Sequence, residues 1–513
     1  MTSPKEAPTA PDKLDSAVLK IAAVVVLGAT MSILDVTVVS VALTTFTREF
    51  DSSYATVAWT MTAYTLALGA VIPLTGWAAD RFGTKRLYIT AVALFVLGSV
   101  ACSMAWDITS LIGFRVLQGL GGGMLMPLSM TILTRAAGPD RIGRVMAVLG
   151  IPVLLGPIGG PILGGWLIEV ASWHWIFLIN PPIGLVAIVA AYFILPSDKP
   201  APSESFDFLG MLLLSPGLAT FLFGVSSIPE VGTVASARVL VSGAIGLTLI
   251  LAFVLHALNK NHPLIDLHLF KDRQLTIAVI TLLMFVVAFM GAGLLFPSYF
   301  IQVGGHNTLG AGLLIAPQGI GAMLTMPIAG RLVDKIGAGK IVLTGLPLTL
   351  VGLSVFTQVA ADTSTWLLMG ALFVMGLGMG CTMMPLMTAA LTTLSHEQVA
   401  RGSTLVAIVQ QTATSIGAAV MSVVLTNQIS SQGTAGLAVA SRGDTPEAAQ
   451  IAAQTPPPVL AHAFSQLADA FGNTFVVAAV LILLTFIPAF LLPRKKSENP
   501  DSEAEGARTV MMH

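Results

Sequence analysis

Met31-Ser-Ile-Leu-Asp35-Val-Thr-Val-Val-Ser-Val-Ala-Leu43 lies inside an apolar run covering about 21–46. Roughly 20 apolar residues cross a bilayer as one helix, and this run is longer than that. Asp35 stands near its middle. The other Asp and Glu residues fall in loops, tails or segment ends, with Glu169 and Asp469 nearest to apolar stretches. One carboxylate is therefore expected at mid-membrane. A central Asp costs an inserting helix about 2.5–3.5 kcal/mol, and such residues usually face a bundle interior and serve ions, protons or substrates. The alternative for Asp35 is a static polar contact between helices.

Of 513 residues, 55% are hydrophobic and 10% charged, a balance that no soluble domain needs. The chain reads as an all-α polytopic membrane protein. Thirteen further apolar segments follow the first, at about 55–78, 87–105, 110–133, 145–169, 175–195, 208–227, 239–258, 275–302, 307–329, 341–359, 366–391, 403–427 and 471–492. Fourteen spans put both termini on one side. All but four of the 25 lysines and arginines then share the side of the termini, Arg48, Arg238 and Arg442 lying opposite and Arg115 within a span. Positive charge stays inside, so both termini are expected in the cytoplasm. The polar start lacks a signal-peptide pattern. Cys102 and Cys381 lie in apolar segments, which argues against a disulfide framework.

The chain repeats itself. Gly76-Trp-Ala-Ala-Asp80-Arg81-Phe-Gly83-Thr-Lys85-Arg86 follows the second span, and Gly330-Arg331-Leu-Val-Asp334-Lys335-Ile-Gly337 follows the tenth. Parallel six-helix halves are one way to build a transporter. Here the copies stand eight spans apart, so two helices are inserted between the halves. The expected organisation is a tail (1–16), a six-helix bundle (17–195), a linker with two inserted helices (196–272), and a second six-helix bundle (273–492). That second bundle carries an outer loop (429–469), and a tail (493–513) follows it. The stretch 458–470 is expected as a short helix on the membrane surface.

The Gly76–Arg86 loop resembles the signature loop of the major facilitator superfamily. Leu111-Ile-Gly-Phe-Arg115-Val-Leu-Gln118-Gly-Leu-Gly-Gly122 resembles the fourth-helix motif of its drug exporters. Gly150 with Gly156-Pro157-Ile-Gly159-Gly160-Pro161 resembles the fifth-helix antiporter motif. The stretch Leu34–Leu43 is similar to the first-helix motif of the fourteen-helix branch, the EmrB and QacA type multidrug exporters. Trp173-His174-Trp175-Ile-Phe-Leu-Ile-Asn180-Pro-Pro-Ile-Gly184 fits that branch too, with His174 where an Arg is usual. The resemblance spans nearly the whole chain with the motifs in order. It implies the major facilitator fold with fourteen transmembrane helices, in a bacterial cytoplasmic membrane. The implied activity is proton-coupled antiport that exports lipophilic drugs or toxic compounds, cationic ones included, by alternating access. Dedicated export of an endogenous lipid or metabolite is compatible with the same motifs, and a non-transporting receptor or scaffold is a third class. It also implies that Asp80 closes the inner side and that the fifth-helix glycines seal a dry seam against proton leak.

The residue chemistry gives parallel expectations. Counting about 1.5 Å per residue from the span ends puts Asp35 roughly 16 Å deep and Arg115 roughly 8 Å deep, a gap that a long Arg side chain can bridge. A nearby guanidinium favours a carboxylate while burial favours the acid, so Asp35 with Arg115 is the candidate proton-coupling pair, against a permanent structural ion pair. Gly76, Asp80, Arg81, Gly83, Arg86 and Asp334 are candidate gating residues, the second loop being less complete and its Asp expected to matter less. The basic residues also serve topology alone. Gly150, Gly156, Pro157, Gly159 and Gly160 suit close helix packing. Met31, Trp59, Tyr64, Gln118, Met284, Phe285, Phe289, Gln318 and Gln410 are candidate linings of a central cavity, or ordinary core. No phosphate loop, metal-spaced His/Cys cluster or nucleophile constellation is present, so no enzyme activity or cofactor is expected, and a proton gradient is the energy source. Expected partners are small lipophilic substrates, protons and the bilayer, with no nucleic acid. A monomer is expected, and no envelope adaptor can be named.

Overall fold

The computed structural model describes residues 15–138, 141–197, 206–231, 233–260, 262–395, 397–442 and 446–494. Side chains are outside the description at 44, 54, 55, 151–155, 157, 158, 161, 229, 230, 308, 446 and 447. Most of the tails at 1–16 and 493–513 and of the linker at 196–207 lies outside the described residues.

An apolar run in lipid must satisfy its backbone N–H and C=O groups internally, so each span is a helix. In chain order these are α1 (Ser16–Glu49), α2 (Tyr54–Phe82), α3 (Thr84–Ser103), α4 (Ile108–Ala137), α5 (Ile142–Val170), α6 (Trp175–Leu178), α7 (Asn180–Ile194), α8 (Phe208–Val231) and α9 (Ala237–Leu258). The second part comprises α10 (Arg273–Gln302), α11 (Thr308–Ile336), α12 (Ala338–Phe356), α13 (Thr365–Gly380), α14 (Met383–Thr392), α15 (Val399–Ser431), α16 (Ala435–Ser441), α17 (Pro446–Gln454) and α18 (Pro457–Ala489). Among the described residues thirteen stretches are long and apolar enough to cross a membrane, α6 with α7 and α13 with α14 each forming one. The fourteenth is α5, 29 residues with no charged side chain between Arg144 and Glu169.

One boundary differs from the hydropathy reading. The stretch 458–470 is not a separate surface helix, because α18 runs unbroken for 33 residues from Pro457. Proline suits a first helical turn, and helical hydrogen bonding does not stop where apolar composition does. The loop 429–469 is correspondingly reduced to α16, α17 and short connections.

The repeat is a repeat of backbone geometry. Gly83 (φ 85°) joins α2 to α3, and Gly337 (φ 87°) joins α11 to α12. Each accepts a left-handed conformation that a side chain would strain. A proline stands three residues before the first glycine of each copy, Pro73 in α2 and Pro327 in α11. The two halves meet where α2 packs on α15 and α11 on α5. Asp15 pairs with Arg141 (2.8 Å), and the Gly339 N–H donates to the Pro493 carbonyl (3.1 Å). Both ends of the described chain therefore lie on one face, here called the terminal face. Trp106, in the connection between α3 and α4, and Trp166, Trp175 and Trp366, near the distal ends of their helices, are exposed on the opposite face, as an interfacial aromatic belt requires.

The inserted helices α8 and α9 form a close hairpin, and α8 packs on both α2 and α15. Trp59 of α2 stacks on Phe223 of α8 (5.5 Å), and Trp77 of α2 meets Phe206 (4.4 Å). The terminal end of the hairpin is held by Asp207. Its buried carboxylate accepts from Gly210 N (3.0 Å) and Leu264 N (3.1 Å) and pairs with His256 Nε2 (2.7 Å).

Burial pushes the Asp207 carboxyl up, but the His256 and N–H hydrogen bonds outweigh it and hold it below the usual carboxylate range. A depressed folded pKa stabilises fully above the unfolded value of about 4 and is lost as pH falls through the folded value. Asp207→Ala is expected to cost about 1–3 kcal/mol at pH 7. Thermal unfolding of the two proteins checks this, and the gap between their midpoints should close below about pH 4.

Candidate functional site

The site is built on the faces of five spans. Asp35 and Ser32 share one face of α1, Arg115 and Gln118 one face of α4, and Thr60 and Tyr64 one face of α2, by the three- and four-residue helical spacing. Ser99 comes from α3. Asn180 comes from the break between α6 and α7, where Pro181 and Pro182 follow it at the first turn of α7.

Asp35, Arg115, Gln118, Ser99 and Asn180 are all buried. Arg115 Nη1 pairs with Asp35 Oδ2. The eight-ångström offset expected from counting is thus bridged by the guanidinium itself. Gln118 Nε2 donates to Asp35 Oδ1 (2.7 Å) and to Ser99 Oγ (2.8 Å). Asn180 Nδ2 donates to Ser99 Oγ (2.8 Å) and reaches Asp35 Oδ1 at 3.4 Å. Arg115 also donates from Nη1 to Gln118 Oε1 (2.6 Å) and from Nε to the Thr60 carbonyl (3.1 Å). The Tyr64 ring lies 4.1 Å from the guanidinium carbon, and the Tyr64 hydroxyl bonds Ser32 Oγ (3.0 Å). Arg115 Nη2 is buried without a hydrogen-bond partner among the described residues.

Every group aimed at Asp35 is an N–H donor. A carboxylate is acceptor-only, whereas a protonated acid carries an O–H that must itself find an acceptor. The arrangement therefore matches the carboxylate. Adding a proton removes the charge that the Arg115 guanidinium pairs with, and so weakens the link between α1 and α4.

A second cluster lies at the terminal face, where the halves meet. Asp80 Oδ1 accepts from Arg135 Nη2 of α4 (3.1 Å), and its Oδ2 lies 3.9 Å from Arg401 Nε of α15. Asp334 Oδ1 accepts from Gly143 N of α5 (2.9 Å), and its Oδ2 lies 3.4 Å from Arg144 Nε. Each repeated turn thus presents its Asp to an arginine of the other half. The α5–α11 seam is tight enough that a Cβ on Gly330 would stand 2.5 Å from the Gly143 carbonyl oxygen. The two carboxylates differ in how closely they reach across the halves. Asp334, at 5% side-chain exposure against 18% for Asp80, makes the closer tie across the halves. The incomplete loop sequence hid this because the partners come from α5, not from the loop. Arg81 and Arg86 are exposed.

The glycines of α5 divide between two neighbours. Gly150 faces Met326 of α11, while Gly156, Gly159 and Gly160 face Ile33, Leu34 and Thr37 of α1. Thr37 Oγ1 donates to the Gly156 carbonyl (3.0 Å). Close packing is the visible role of this stripe; the Pro157 and Pro161 side chains lie outside the description.

Several residues expected to line a cavity have other surroundings. Gln118 and Tyr64 belong to the Asp35 cluster, and Met31 is buried with Tyr64 and Phe95. Trp59 turns to the inserted hairpin. Phe285 and Phe289 stack on each other (5.3 Å) in the core. Aromatic and amphipathic side chains at membrane depth pack as readily as they line, which composition does not reveal. Met284, Gln318 and Gln410 are half-buried, and Gln410 Nε2 contacts Met387 Sδ (3.6 Å). Asn180, Ser99, Thr60, Arg135, Arg144 and Arg401 had been given no role. For Asn180 a signal existed: a polar residue ahead of two prolines inside an apolar run.

Fourteen spans in two repeated halves, with an ion pair buried in one of them, define a secondary-transporter architecture and not an enzyme. The pattern of the Major Facilitator Superfamily matches residues 25–418, and the chain belongs to that superfamily. It is 50% identical over 501 residues to a multidrug resistance protein B homolog of Mycobacterium tuberculosis, covering 95% of this chain and 92% of that one. It is 29% identical to the putative multidrug resistance protein MdtD of Pectobacterium carotovorum, covering 78% and 86%. In fold it is similar to the crystal structure of the human organic anion transporter MFSD10, with a TM-score of 0.60 at 14% identity, covering 92% and 100%.

The seam geometry makes a ranked prediction. Asp80→Asn and Asp334→Asn should both slow transport, Asp334→Asn the more, by about tenfold if one charge-assisted contact is lost. Initial transport rates at matched membrane abundance decide it. Full activity in both variants would leave the turns as topological anchors.

Proposed function

We propose that this major facilitator transporter is a proton-coupled antiporter that exports lipophilic drugs or toxic compounds, cationic ones included, by alternating access. The observation that carries the reading is the carboxylate of Asp35, buried at mid-span and held by donors from Arg115, Gln118 and Asn180. Protonation removes the charge on which the charge-assisted contact with Arg115 depends, and so converts proton binding into a change of helix contacts. The export of drugs is supported by the names of the multidrug-resistance relatives. The positive-inside distribution supports a cytoplasmic terminal face in a bacterial cytoplasmic membrane. In this reading the protein works as a monomer on the proton gradient without a cofactor. The Asp80 and Asp334 ties close the inner side, and the packed α1–α5 stripe keeps protons from leaking.

The test is exchange in everted vesicles energised to an acid interior. Adding substrate should release protons. Asp35→Asn should abolish accumulation driven by ΔpH while substrate binding persists, and Asp35→Glu should retain part of the activity with an altered pH profile. Arg115→Lys keeps the charge but loses the planar fork of donors, and should fall between wild type and Arg115→Ala. Concentration of substrate against its gradient by Asp35→Asn under ΔpH alone would reject the assignment.

A further inference from the structure

The last helix has a continuous face that changes character along its length. His462, Gln466, Asp469, Asn473, Val476, Val480, Leu483 and Ile487 follow one another at spacings of four and three, which places them on one side of α18. Helices α10, α12, α15 and α16 pack around the rest of α18. The lower four, Val476, Val480, Leu483 and Ile487, are exposed by 43–65%. The upper four line a cavity of about 670 Å³ at the distal face, walled by the distal ends of α12 and α15.

The level of this cavity is fixed by its neighbours. Gly472 sits against the Thr357 carbonyl, just past the end of α12. From Gly472, level with the distal end of α12, to Leu483 the helix rises about 16 Å, close to the roughly 15 Å depth of one leaflet's hydrocarbon. Asn473 up to Gln466 rises about 10 Å, against a headgroup layer of about 5–8 Å. Exposed Trp366, at the distal start of α13, belongs to the same interface.

The cavity offers two kinds of handle. Asp469 is the one carboxylate among its described lining residues, and it is exposed. The side-chain amides of Gln358 and Gln432 have no hydrogen-bond partner among the described residues, and each presents N–H donors. By contrast, Gln466 is committed, its Oε1 accepting from Thr434 N (2.8 Å) and Oγ1 (2.9 Å). Among its described lining residues there is no Lys or Arg, so a purely anionic group would meet the Asp469 charge with only His462 and neutral amides to hold it.

We propose that this face binds one phospholipid of the distal leaflet whose headgroup carries a primary ammonium. The ammonium pairs with Asp469, phosphate oxygens accept from the amides of Gln358 and Gln432, and an acyl chain lies over Val476, Val480 and Leu483. The site belongs to the C-terminal half and is separate from Asp35, so it stands or falls apart from proton coupling.

The experiment is native mass spectrometry of the full-length protein with three lipids of identical chains. Their headgroups are ethanolamine, its trimethylated form, and glycerol. The trimethylated group keeps the charge but has no N–H. Retention of the ethanolamine lipid should exceed that of the other two by roughly tenfold, the worth of one charge-assisted hydrogen bond. Asp469→Asn should bring it down to the level of the trimethylated lipid, with the thermal unfolding midpoint unchanged. The double change Gln358→Ala with Gln432→Ala should weaken the ethanolamine and trimethylated lipids together. Equal retention of all three headgroups, preference for glycerol, or an undiminished ethanolamine preference in Asp469→Asn would overturn the proposal.

Discussion

A carboxylate and a guanidinium cannot sit at membrane depth unless each satisfies the other and their remaining hydrogen-bonding atoms are also met. That constraint organises the N-terminal half. Asp35 takes donors on both oxygens, which requires α4 beside α1 and brings in the break between α6 and α7. Arg115 needs the Thr60 carbonyl and the Tyr64 ring, which requires α2 against α4. Ser99 of α3 accepts from both amides and ties them to each other. Five spans are thus registered by one charged pair, in a solvent where apolar contact alone does not choose among faces.

The two halves share a backbone plan but not this chemistry. The glycine turns at Gly83 and Gly337 and the prolines at Pro73 and Pro327 recur at matching places. The buried pair occurs in the first half alone among the described residues. On the proposed reading, such a division separates a part that responds to a proton from a part it moves against. The inserted hairpin complicates the picture, because α8 touches α2 of one half and α15 of the other. Its stacked contact with α2, through Trp59 and Phe223, is aromatic, while its contact with α15 is an aliphatic patch of Val225, Ile228, Ala419 and Val423.

Much of this was legible in the sequence, for physical reasons that also mark where legibility ended. Span number follows from hydropathy because lipid permits little else. Asp35 and Arg115 stand out because charge at membrane depth is rare. The repeat is readable because a left-handed turn admits glycine and little else. Partners were harder. Arg144 and Arg401 come from helix starts remote in sequence from the loops they meet, and ordinary positive-inside placement explains such residues equally well. Asn180 was visible inside a motif, but its function depends on a helix break bringing it to α3. The cavity candidates Trp59, Met31 and Phe285 are as apolar as any packed residue, and sequence does not tell lining from packing. The length of α18 was missed because hydropathy reports contact with lipid, not where helical hydrogen bonds end.

The α5 helix gives the arrangement its mechanical sense. On one side its glycines seat Ile33, Leu34 and Thr37, the residues that flank Asp35 on α1. At its terminal-face end, Gly143 and Arg144 hold Asp334 of the other half. One rigid helix therefore touches the neighbours of the buried acid and carries the tie that joins the halves. Contiguity by itself is not coupling; coupling needs an element with two discrete arrangements that both sites bias. The Asp35 cluster supplies a reason for two arrangements, since its donors fit the carboxylate and not the acid. The seam supplies the other, since a backbone N–H bonded to a carboxylate across two halves is either made or broken. On the proposed reading, α5 is where those two alternatives meet.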